Sequence, residues 1–159
     1  MDESKYFTEH VRCYADGRVE RSNPKSKTPK WRPANIKPQS TGYFRIGIDG
    51  KGYFVHRIIA ACFLGLDIEN LVDVIDHRDG NPINNRVANL RITTKQGNEW
   101  NQVRAKGYCW HVASEKWRAS IVVNYKQTHL GLFDTEEQAR QAYLAAKLIH
   151  HVIPERNYQ

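Results

Sequence analysis

Residues 74–101 read VIDHRDGNPINNRVANLRITTKQGNEWN, and this stretch decides the fold. Its two apolar pieces, VIDH and LRIT, predict short β-strands, and the Gly, Pro and Asn residues between them predict a polar loop. A polar helix is expected to begin near Thr94. We expect a strand, a loop, a second strand and a helix in this order to fold His77, Asn89 and Asn98 back onto one another.

The residue types at these positions suit phosphodiester hydrolysis. That reaction requires a base that takes a proton from the attacking water and a positive charge that stabilises the departing oxygen. His77 can be neutral at pH 7 and can serve as the base. Asp76 and Asn98 offer oxygen ligands for one divalent cation, and Asn101, one turn along the helix, is an alternative to Asn98. Asn89 can donate and accept hydrogen bonds at once, which suits tying the loop across the site and steadying His77.

Simpler interpretations of the same residues exist. An isolated Asp-His pair is more often ordinary polar surface, and residues 76–81 could form a turn rich in Asp and Asn or a loose calcium loop. The acidic alternation and the closing Glu of an EF-hand are absent from the sequence here. The nuclease interpretation therefore depends on the whole set of residues and on the segments that flank it.

The segment before the loop predicts a hairpin and a buried helix. GYFRIGID (residues 42–49) alternates apolar and polar residues, Asp49-Gly50-Lys51-Gly52 predicts a turn, and HRIIAACFLG predicts a helix that stops at Gly65. His56 lies where the strand meets this helix. A phosphate contact and a structural hydrogen bond are both open for its side chain.

Residues 42–104 resemble the HNH endonuclease motif of phage and intron-encoded homing endonucleases. DHRDGN, NNRVANLR and TTKQGNEWN carry the resemblance, together with the upstream hairpin and helix. It implies that His77 is the general base, that Asp76 and Asn98 are metal ligands, and that Asn89 is the middle Asn of the motif. Many HNH enzymes end the motif with His, so Asn98 favours one Mg²⁺ or Mn²⁺ ion per active site over zinc.

The last part of the chain predicts three strands and a helix. GYCWHV, KWRASIVVN and KQTHLGLF predict the strands, and Thr135-x-x-Gln138 is a capping-box spacing. The helix behind it is expected to face the sheet with five side chains, namely Ala139, Ala142, Tyr143, Ala146 and Ile149. Four side chains are expected in the core, namely Leu130, Leu132, Phe133 and Tyr143.

Residues 107–150 resemble the plant ethylene-response-factor (APETALA-two) DNA-binding domain. GYCWHVASEKWRASI and HLGLFDTEEQARQAYLAA carry the resemblance, which implies a three-stranded antiparallel sheet that reads the major groove of DNA. Strand alternation puts five side chains among the positions able to face outward, namely Trp110, Lys116, Arg118, Ser120 and Lys126. At least one of Trp110 and Trp117 is expected to pack on the helix instead. Arg104 and Lys106 precede the first strand as further DNA contacts.

Charge points to a polyanionic partner. The 159 residues include 24 Lys and Arg against 17 Asp and Glu, a formal net charge of +7. Residues 21–37 hold six basic residues and no acidic one. They predict an arm that lies along DNA phosphates through Lys25, Lys27, Lys30 and Arg32, with a solvated loop as the alternative. Trp31 within this arm offers a stacking surface or a pin to the core.

Other classes of protein are disfavoured. No apolar run approaches the roughly 20 residues that span a bilayer, and the sequence opens without a signal peptide, so we expect a cytoplasmic protein with no membrane partner. If the chain is phage-encoded, the cytoplasm is the host's. The three cysteines, Cys13, Cys62 and Cys109, are widely spaced and odd in number, which argues against a disulfide framework or a zinc finger.

The sequence thus predicts an α+β protein of three parts. A basic N-terminal region (1–41) precedes a ββα-metal nuclease module (42–104), and a three-stranded antiparallel sheet packed on one helix (105–159) follows. We expect a divalent-metal-dependent endonuclease that cuts double-stranded DNA as a monomer or weak dimer. Arg78, Arg86 and Arg91 are candidates for binding phosphate. The alternatives are a regulator that binds DNA without cutting it and a nuclease that acts on RNA.

Overall fold

The computed structural model describes residues 3–102 and 106–153. The described chain forms two compact units, one within residues 3–101 and the other within residues 102–153. Both units combine small antiparallel sheets with helices, so the predicted α+β class is confirmed. Arg104, one of the predicted DNA contacts, lies outside the described residues.

The first unit contains three small sheets and two helices. A four-stranded sheet has the order β1-β2-β3-β4, a three-stranded sheet has the order β5-β6-β7, and β8 and β9 form a hairpin. The elements are β1 (Ser4–Thr8), β2 (Val11–Tyr14), β3 (Val19–Arg21), β4 (Arg32–Pro33), β5 (Lys37–Pro38), β6 (Phe44–Ile48), β7 (Lys51–Phe54), α1 (Val55–Leu64), β8 (Val74–His77), β9 (Leu90–Thr93) and α2 (Lys95–Trp100).

Turn and cap residues define the ends of the predicted elements. Asp49 and Gly50 join β6 to β7 with φ angles of 48° and 79°, the left-handed pair that a two-residue hairpin turn requires. α1 ends at Gly65 in the left-handed conformation, as predicted. α2 begins after Thr94, whose side chain accepts a hydrogen bond from the Gly97 backbone amide.

One hydrophobic core holds the first unit together. Ile58, Ile59 and Ala60 of α1 are fully buried at its centre. Strands β2 and β3, β6 and the β8–β9 hairpin all contribute buried side chains to the same cluster. The N-terminal strands therefore share a core with α1 and with the hairpin that carries the predicted site residues.

Arg57 anchors the segment between α1 and β8. Its guanidinium donates to the carbonyl oxygens of Asp73 at 3.0 Å and Asn70 at 2.6 Å. Several donors in a fixed fork suit the clamping of a loop that has no regular structure of its own. This clamp sets where β8 begins, directly before the site.

The second unit is a three-stranded sheet with a helix on one side. It consists of β10 (Tyr108–His111), β11 (Lys116–Val123), β12 (Lys126–Phe133) and α3 (Glu136–His150). Thr135 and Gln138 form the predicted capping box at the start of α3. The small core is built from Ile121, Tyr143 and Ala146, with Leu130 packed against it.

Two predicted positions in the second unit are wrong, the core position of Leu132 and the sheet-facing position of Ile149. Leu132 is 43% exposed because it pairs with Arg118 on the side of the sheet away from α3. Ile149 is 71% exposed, close to the end of α3.

Within the described residues, no helix is long and apolar enough to cross a membrane.

The second unit depends on the absence of a side chain at Gly107. A Cβ atom there would overlap the Tyr143 ring and lie 2.7 Å from the Ser120 carbonyl oxygen. We expect Gly107→Ala to lower the free energy of unfolding by about 2 kcal/mol, because overpacking displaces the core ring of α3. Urea unfolding followed by circular dichroism measures this loss.

Gly47→Ala is the matched control, since a Cβ atom at Gly47 meets nothing within 4 Å. Its expected effect stays within about 0.5 kcal/mol. Equal stability of the two variants would show that Tyr143 does not require the space at Gly107.

Candidate active site

The β8–β9 hairpin sorts the predicted residues onto two faces. Ile75 pairs with Ile92 and His77 with Leu90, while Asp76 pairs with Arg91. Because side chains alternate along a strand, Ile75 and His77 share one face of the hairpin and Asp76 takes the other. All three side chains are nonetheless buried.

A hydrogen-bonded loop joins the two strands of the hairpin. The Asn89 amide donates to Asp79 Oδ1 at 3.0 Å and to the Asn84 carbonyl at 2.8 Å, and its oxygen accepts from the Asp79 backbone amide. Asn89 therefore ties the loop by donating and accepting at once, as its amide predicts. Hydrogen bonds from the Asn84 side chain and the Asn81 backbone lower the pKa of the Asp79 carboxyl group, which keeps this acceptor charged.

The side chain that contacts the His77 ring is Asn85. His77 Nε2 lies 3.1 Å from Asn85 Oδ1, and both residues are buried. Asn89 was predicted to steady His77, but the Asn89 side chain bonds to the loop instead. The Asn84-Asn85 pair was visible in the sequence, although nothing there singles out which Asn reaches the ring.

Aromatic rings pack around the other sides of His77. The ring centroids of His56 and Tyr43 lie 5.4 Å and 5.8 Å from that of His77. The His56 ring also stacks on Phe54 at 5.5 Å. This wall restricts rotation of the His77 ring.

His56 is held neutral in this environment. Burial, and secondarily the charge of His77, lower the pKa of His56 to about 3. Its Nδ1 atom is buried without a hydrogen-bond partner among the described residues. A neutral ring cannot bind phosphate as a cation, and within the described part of the chain no structural hydrogen bond forms at Nδ1.

Asp76 is neutralised by Arg91. Arg91 donates to Asp76 Oδ2 through Nε at 2.8 Å and Nη2 at 2.6 Å, and both side chains are largely buried. Asn101 donates to Asp76 Oδ1 at 3.0 Å and to the His77 carbonyl oxygen at 2.7 Å. Arg91 is thus committed to the site carboxylate rather than available as a phosphate ligand, whereas Arg86 is exposed.

The predicted metal ligands are Asp76 and Asn98, with Asn101 as the alternative to Asn98. Each carboxylate oxygen has two lone pairs, so Oδ1, which accepts one bond from Asn101, keeps one for a cation. Asn98 is on α2, which packs against β8, and its side chain has no hydrogen-bond partner among the described residues. These hard oxygen donors fit Mg²⁺ or Mn²⁺. Across the described ranges, no cluster of three or more His, Cys, Asp or Glu side chains could hold a metal.

Basic residues of the N-terminal arm line a cleft of about 530 Å³. Arg21, Lys30 and Arg32 face it, and Lys25 and Lys27 are exposed on the neighbouring turn. Trp31 is not an open stacking surface, because the Arg12 guanidinium lies 4.4 Å from its ring centroid and Tyr6 packs edge-on at 5.8 Å. Trp31 therefore attaches the arm to strands β1 and β2.

Strand register in the second unit separates the predicted DNA contacts. The outer face of its sheet, opposite α3, carries Cys109, His111, Lys116, Arg118, Ser120, Gln127 and His129. Six residues of the unit line a shallow concavity of about 390 Å³, namely His111, Arg118, Ser120, Gln127, His129 and Leu132. His111, Gln127 and His129 were missed in the sequence analysis, because taking Trp110 and Lys126 as outward places these three side chains on the opposite face.

Two residues expected to face outward lie on the helix side of the sheet. Trp110 pairs with Trp117, and their ring centroids are 5.7 Å apart. Lys126 pairs with Val123, whose side chain packs against the core of the unit. Lys106 lies before the sheet, with its ammonium 5.9 Å from the Tyr108 ring centroid. Lys116 forms an ion pair with Asp134 at 2.9 Å.

Comparisons with known proteins match the segment that contains the β8–β9 hairpin. Residues 53–100 match the family model for HNH endonuclease. An 83-residue segment is 31% identical to Protein 3.8 of Escherichia phage T7 and covers 48% of this chain and 69% of that protein. A 66-residue segment is 44% identical to DNA endonuclease I-HmuI of Bacillus phage SP01 and covers 39% of this chain and 37% of that protein.

The solved structure of the HNH homing endonuclease I-HmuI is also similar, with a TM-score of 0.49 and 23% identity over 85% of this chain and 78% of that chain. The family model and the phage T7 protein define the class. The chain belongs to the HNH endonuclease family of DNA-cleaving enzymes. The predicted resemblance of the central segment is therefore confirmed.

Removing the ionisable ring of His56 tests its burial. The unfolded state binds a proton near pH 6.5 and the folded state near pH 3, so His56 lowers the stability as pH falls between these values. We expect His56→Phe to reduce the acid loss of stability by up to about 1.4 kcal/mol per pH unit. Near pH 7 it should keep or slightly raise stability, because it removes an unpaired buried nitrogen.

Urea midpoints of wild type and variant at about pH 5 and pH 7 give this difference. Asp16, Glu20 and Asp79 also have lowered pKa values, but their contributions cancel in the comparison. If the difference in stability between His56→Phe and the wild type is the same at both pH values, His56 is not neutral and unpaired in the folded protein.

Proposed function

We propose that this chain is a divalent-metal-dependent endonuclease of the homing type that nicks duplex DNA at preferred sites. The observation that carries the proposal is the position of His77 within the family-matched hairpin. Its ring is buried and bonded at Nε2, and the described residues offer Nδ1 no hydrogen-bond partner. An imidazole held in this way suits a general base.

The proposed mechanism assigns the proton transfer to His77. Its Nδ1 atom takes a proton from a water molecule, and the resulting hydroxide attacks the phosphorus in line with the departing 3′-oxygen. Asp76 and Asn98 would hold one Mg²⁺ or Mn²⁺ ion, which supplies positive charge at the departing oxygen. Asn89 keeps the loop across the site, and Arg86 is an exposed cation beside it for phosphate.

Phosphate binding is proposed for both units. In the first unit the cations that line the N-terminal cleft, Lys30 and Arg32 among them, track the backbone, with Lys25 and Lys27 beside it. In the second unit Arg118 and Ser120 of the outer face contact the groove, as the resemblance to the APETALA-two domain implies. Five further residues remain predicted DNA contacts, namely Arg104, Lys106, Trp110, Lys116 and Lys126.

A single base and a single metal site cut one strand. Acting as a monomer, the protein would therefore release nicked circles from a supercoiled plasmid, and double-strand cleavage would need a dimer or two binding events. The positive charge of the chain favours a polyanionic partner. A β-sheet that contacts bases fits the major groove of B-form DNA better than the deep, narrow major groove of RNA.

The central test is conversion of supercoiled plasmid by wild type and by His77→Ala, with Mg²⁺ and with EDTA. We expect metal-dependent nicking that falls by about 10²- to 10⁴-fold in the variant, because a general base contributes that much. The matched control is His10→Ala, a histidine of the first unit that bonds to Ser22. Tight DNA binding without cutting by the wild type on its own genomic DNA would favour the regulator instead.

The basic cleft can be tested by the salt dependence of binding. We expect Lys30→Gln with Arg32→Gln to weaken binding of duplex DNA and to reduce the slope of log K against log salt by about 2, roughly one per lost phosphate contact. Fluorescence anisotropy with the His77→Ala background in EDTA measures binding without cleavage.

The control for this pair is Lys51→Gln with Arg140→Gln, which removes the same charge from other surfaces. Lys51 is exposed on β7, and Arg140 pairs with Glu137 on α3. If both pairs change the slope equally, the cleft has no specific part in binding DNA.

A further inference from the structure

The loop backbone at Asn85 is held in place by hydrogen bonds and by close contact with the N-terminal turn. Its backbone amide donates to the Ile83 carbonyl at 3.2 Å. Two residues further on, the Val87 amide donates to the Ala15 carbonyl at 2.9 Å. Gly17, in the turn between β2 and β3, approaches so closely that a Cβ atom there would lie 2.9 Å from the Asn85 carbonyl carbon. The N-terminal sheet therefore fixes the backbone from which Asn85 reaches His77.

The contact between Asn85 and His77 determines where the imidazole proton lies. The Asn85 Oδ1 atom is a carbonyl oxygen and can only accept, so His77 Nε2 must carry the hydrogen. In a neutral imidazole the second nitrogen then keeps its lone pair. A base has to present a lone pair, and among the described residues no donor occupies the one on Nδ1.

The surroundings leave few other arrangements for the ring. The rings of His56 and Tyr43 pack against it, and Asn89 is occupied by Asp79 and Asn84. Without an acceptor at position 85, a proton on Nε2 would be buried and unpaired, which is unfavourable. The proton would then move to Nδ1, or the ring would turn.

We propose that Asn85 is a positioning residue for cleavage: its buried amide oxygen holds the hydrogen on His77 Nε2 and so leaves Nδ1 as the base. This inference rests on the proposed role of His77 in the nuclease. It gives a function to a residue outside the set formed by His77, Asn89 and Asn98. It also links the N-terminal sheet, through Gly17, to the chemistry of the hairpin.

Ring-nitrogen NMR of the full chain labelled with ¹⁵N-histidine tests the tautomer directly. The chain has seven histidines, and the His77 signals are identified by their loss in His77→Ala. In the wild type at about pH 8 we expect a protonated Nε2 and an unprotonated Nδ1. Asn85→Leu should shift the hydrogen toward Nδ1, whereas Asn85→Asp, which keeps an acceptor, should retain the wild-type pattern.

Single-turnover cleavage and DNA affinity complete the experiment. We expect Asn85→Leu to cut on the order of 10²-fold more slowly with an unchanged Kd for DNA, and Asn85→Asp to recover most of the rate. Asn84→Ala is the matched control, because the Asn84 side chain bonds to Asp79 in the same loop, whereas the Asn85 side chain bonds to His77. It should change stability while leaving the His77 tautomer as in the wild type.

The outcomes separate this inference from the proposed function. The inference is overturned if folded Asn85→Leu keeps the wild-type tautomer, or cuts at the wild-type rate while His77→Ala does not. If Asn85→Leu does not fold, Asn85→Asp decides, and an Nδ1-protonated ring in that variant overturns the inference. If His77→Ala cuts as well as the wild type, the proposed function fails, and the positioning role for cleavage fails with it. The tautomer measurement then still reports whether Asn85 orients the ring.

Discussion

The register of the β8–β9 hairpin is the constraint on which the site depends. In the observed register Asp76 faces Arg91, while Ile75 and His77 point to the face that the core covers. A slip by one residue would exchange the two faces, so that the His77 ring would leave the aromatic wall and a charged side chain would enter the core. The buried ion pair between Asp76 and Arg91 opposes such a slip, since separating its charges in a buried place is costly.

The site is assembled from segments that are distant in sequence. The N-terminal turn supports Asn85, and the β6–β7 sheet and the start of α1 supply the aromatic wall around His77. Asn101, directly after α2, bonds to Asp76. The N-terminal strands, β6 and α1 are anchored to the shared core rather than to the site itself. The geometry around His77 is consequently set before any substrate binds.

Local sequence signals predicted the elements well. The Asp49-Gly50 turn, the end of α1 at Gly65 and the capping box at Thr135 all follow from the conformational preferences of a few adjacent residues. The choice between Asn85 and Asn89 could not be made in this way, because it depends on how the loop backbone folds over the N-terminal turn. Trp110 was misplaced because β10 is paired so that Trp110 lies opposite Trp117. A shift of register after Ala119 separates Ala119↔Gly131 from Ser120↔His129, and alternation alone gives no sign of it.

The charge at the site has a consequence for the proposed mechanism. Arg91 neutralises Asp76, and the other predicted ligand, Asn98, is an uncharged amide, so the protein alone would offer a divalent cation little net negative charge. Mg²⁺ in proteins is commonly held by one or two carboxylates together with substrate phosphates. On the proposed function, the DNA phosphate would therefore supply the missing charge, and the ion would bind more tightly with DNA in place than without it. Metal affinity and substrate affinity would then be linked, and each would rise in the presence of the other.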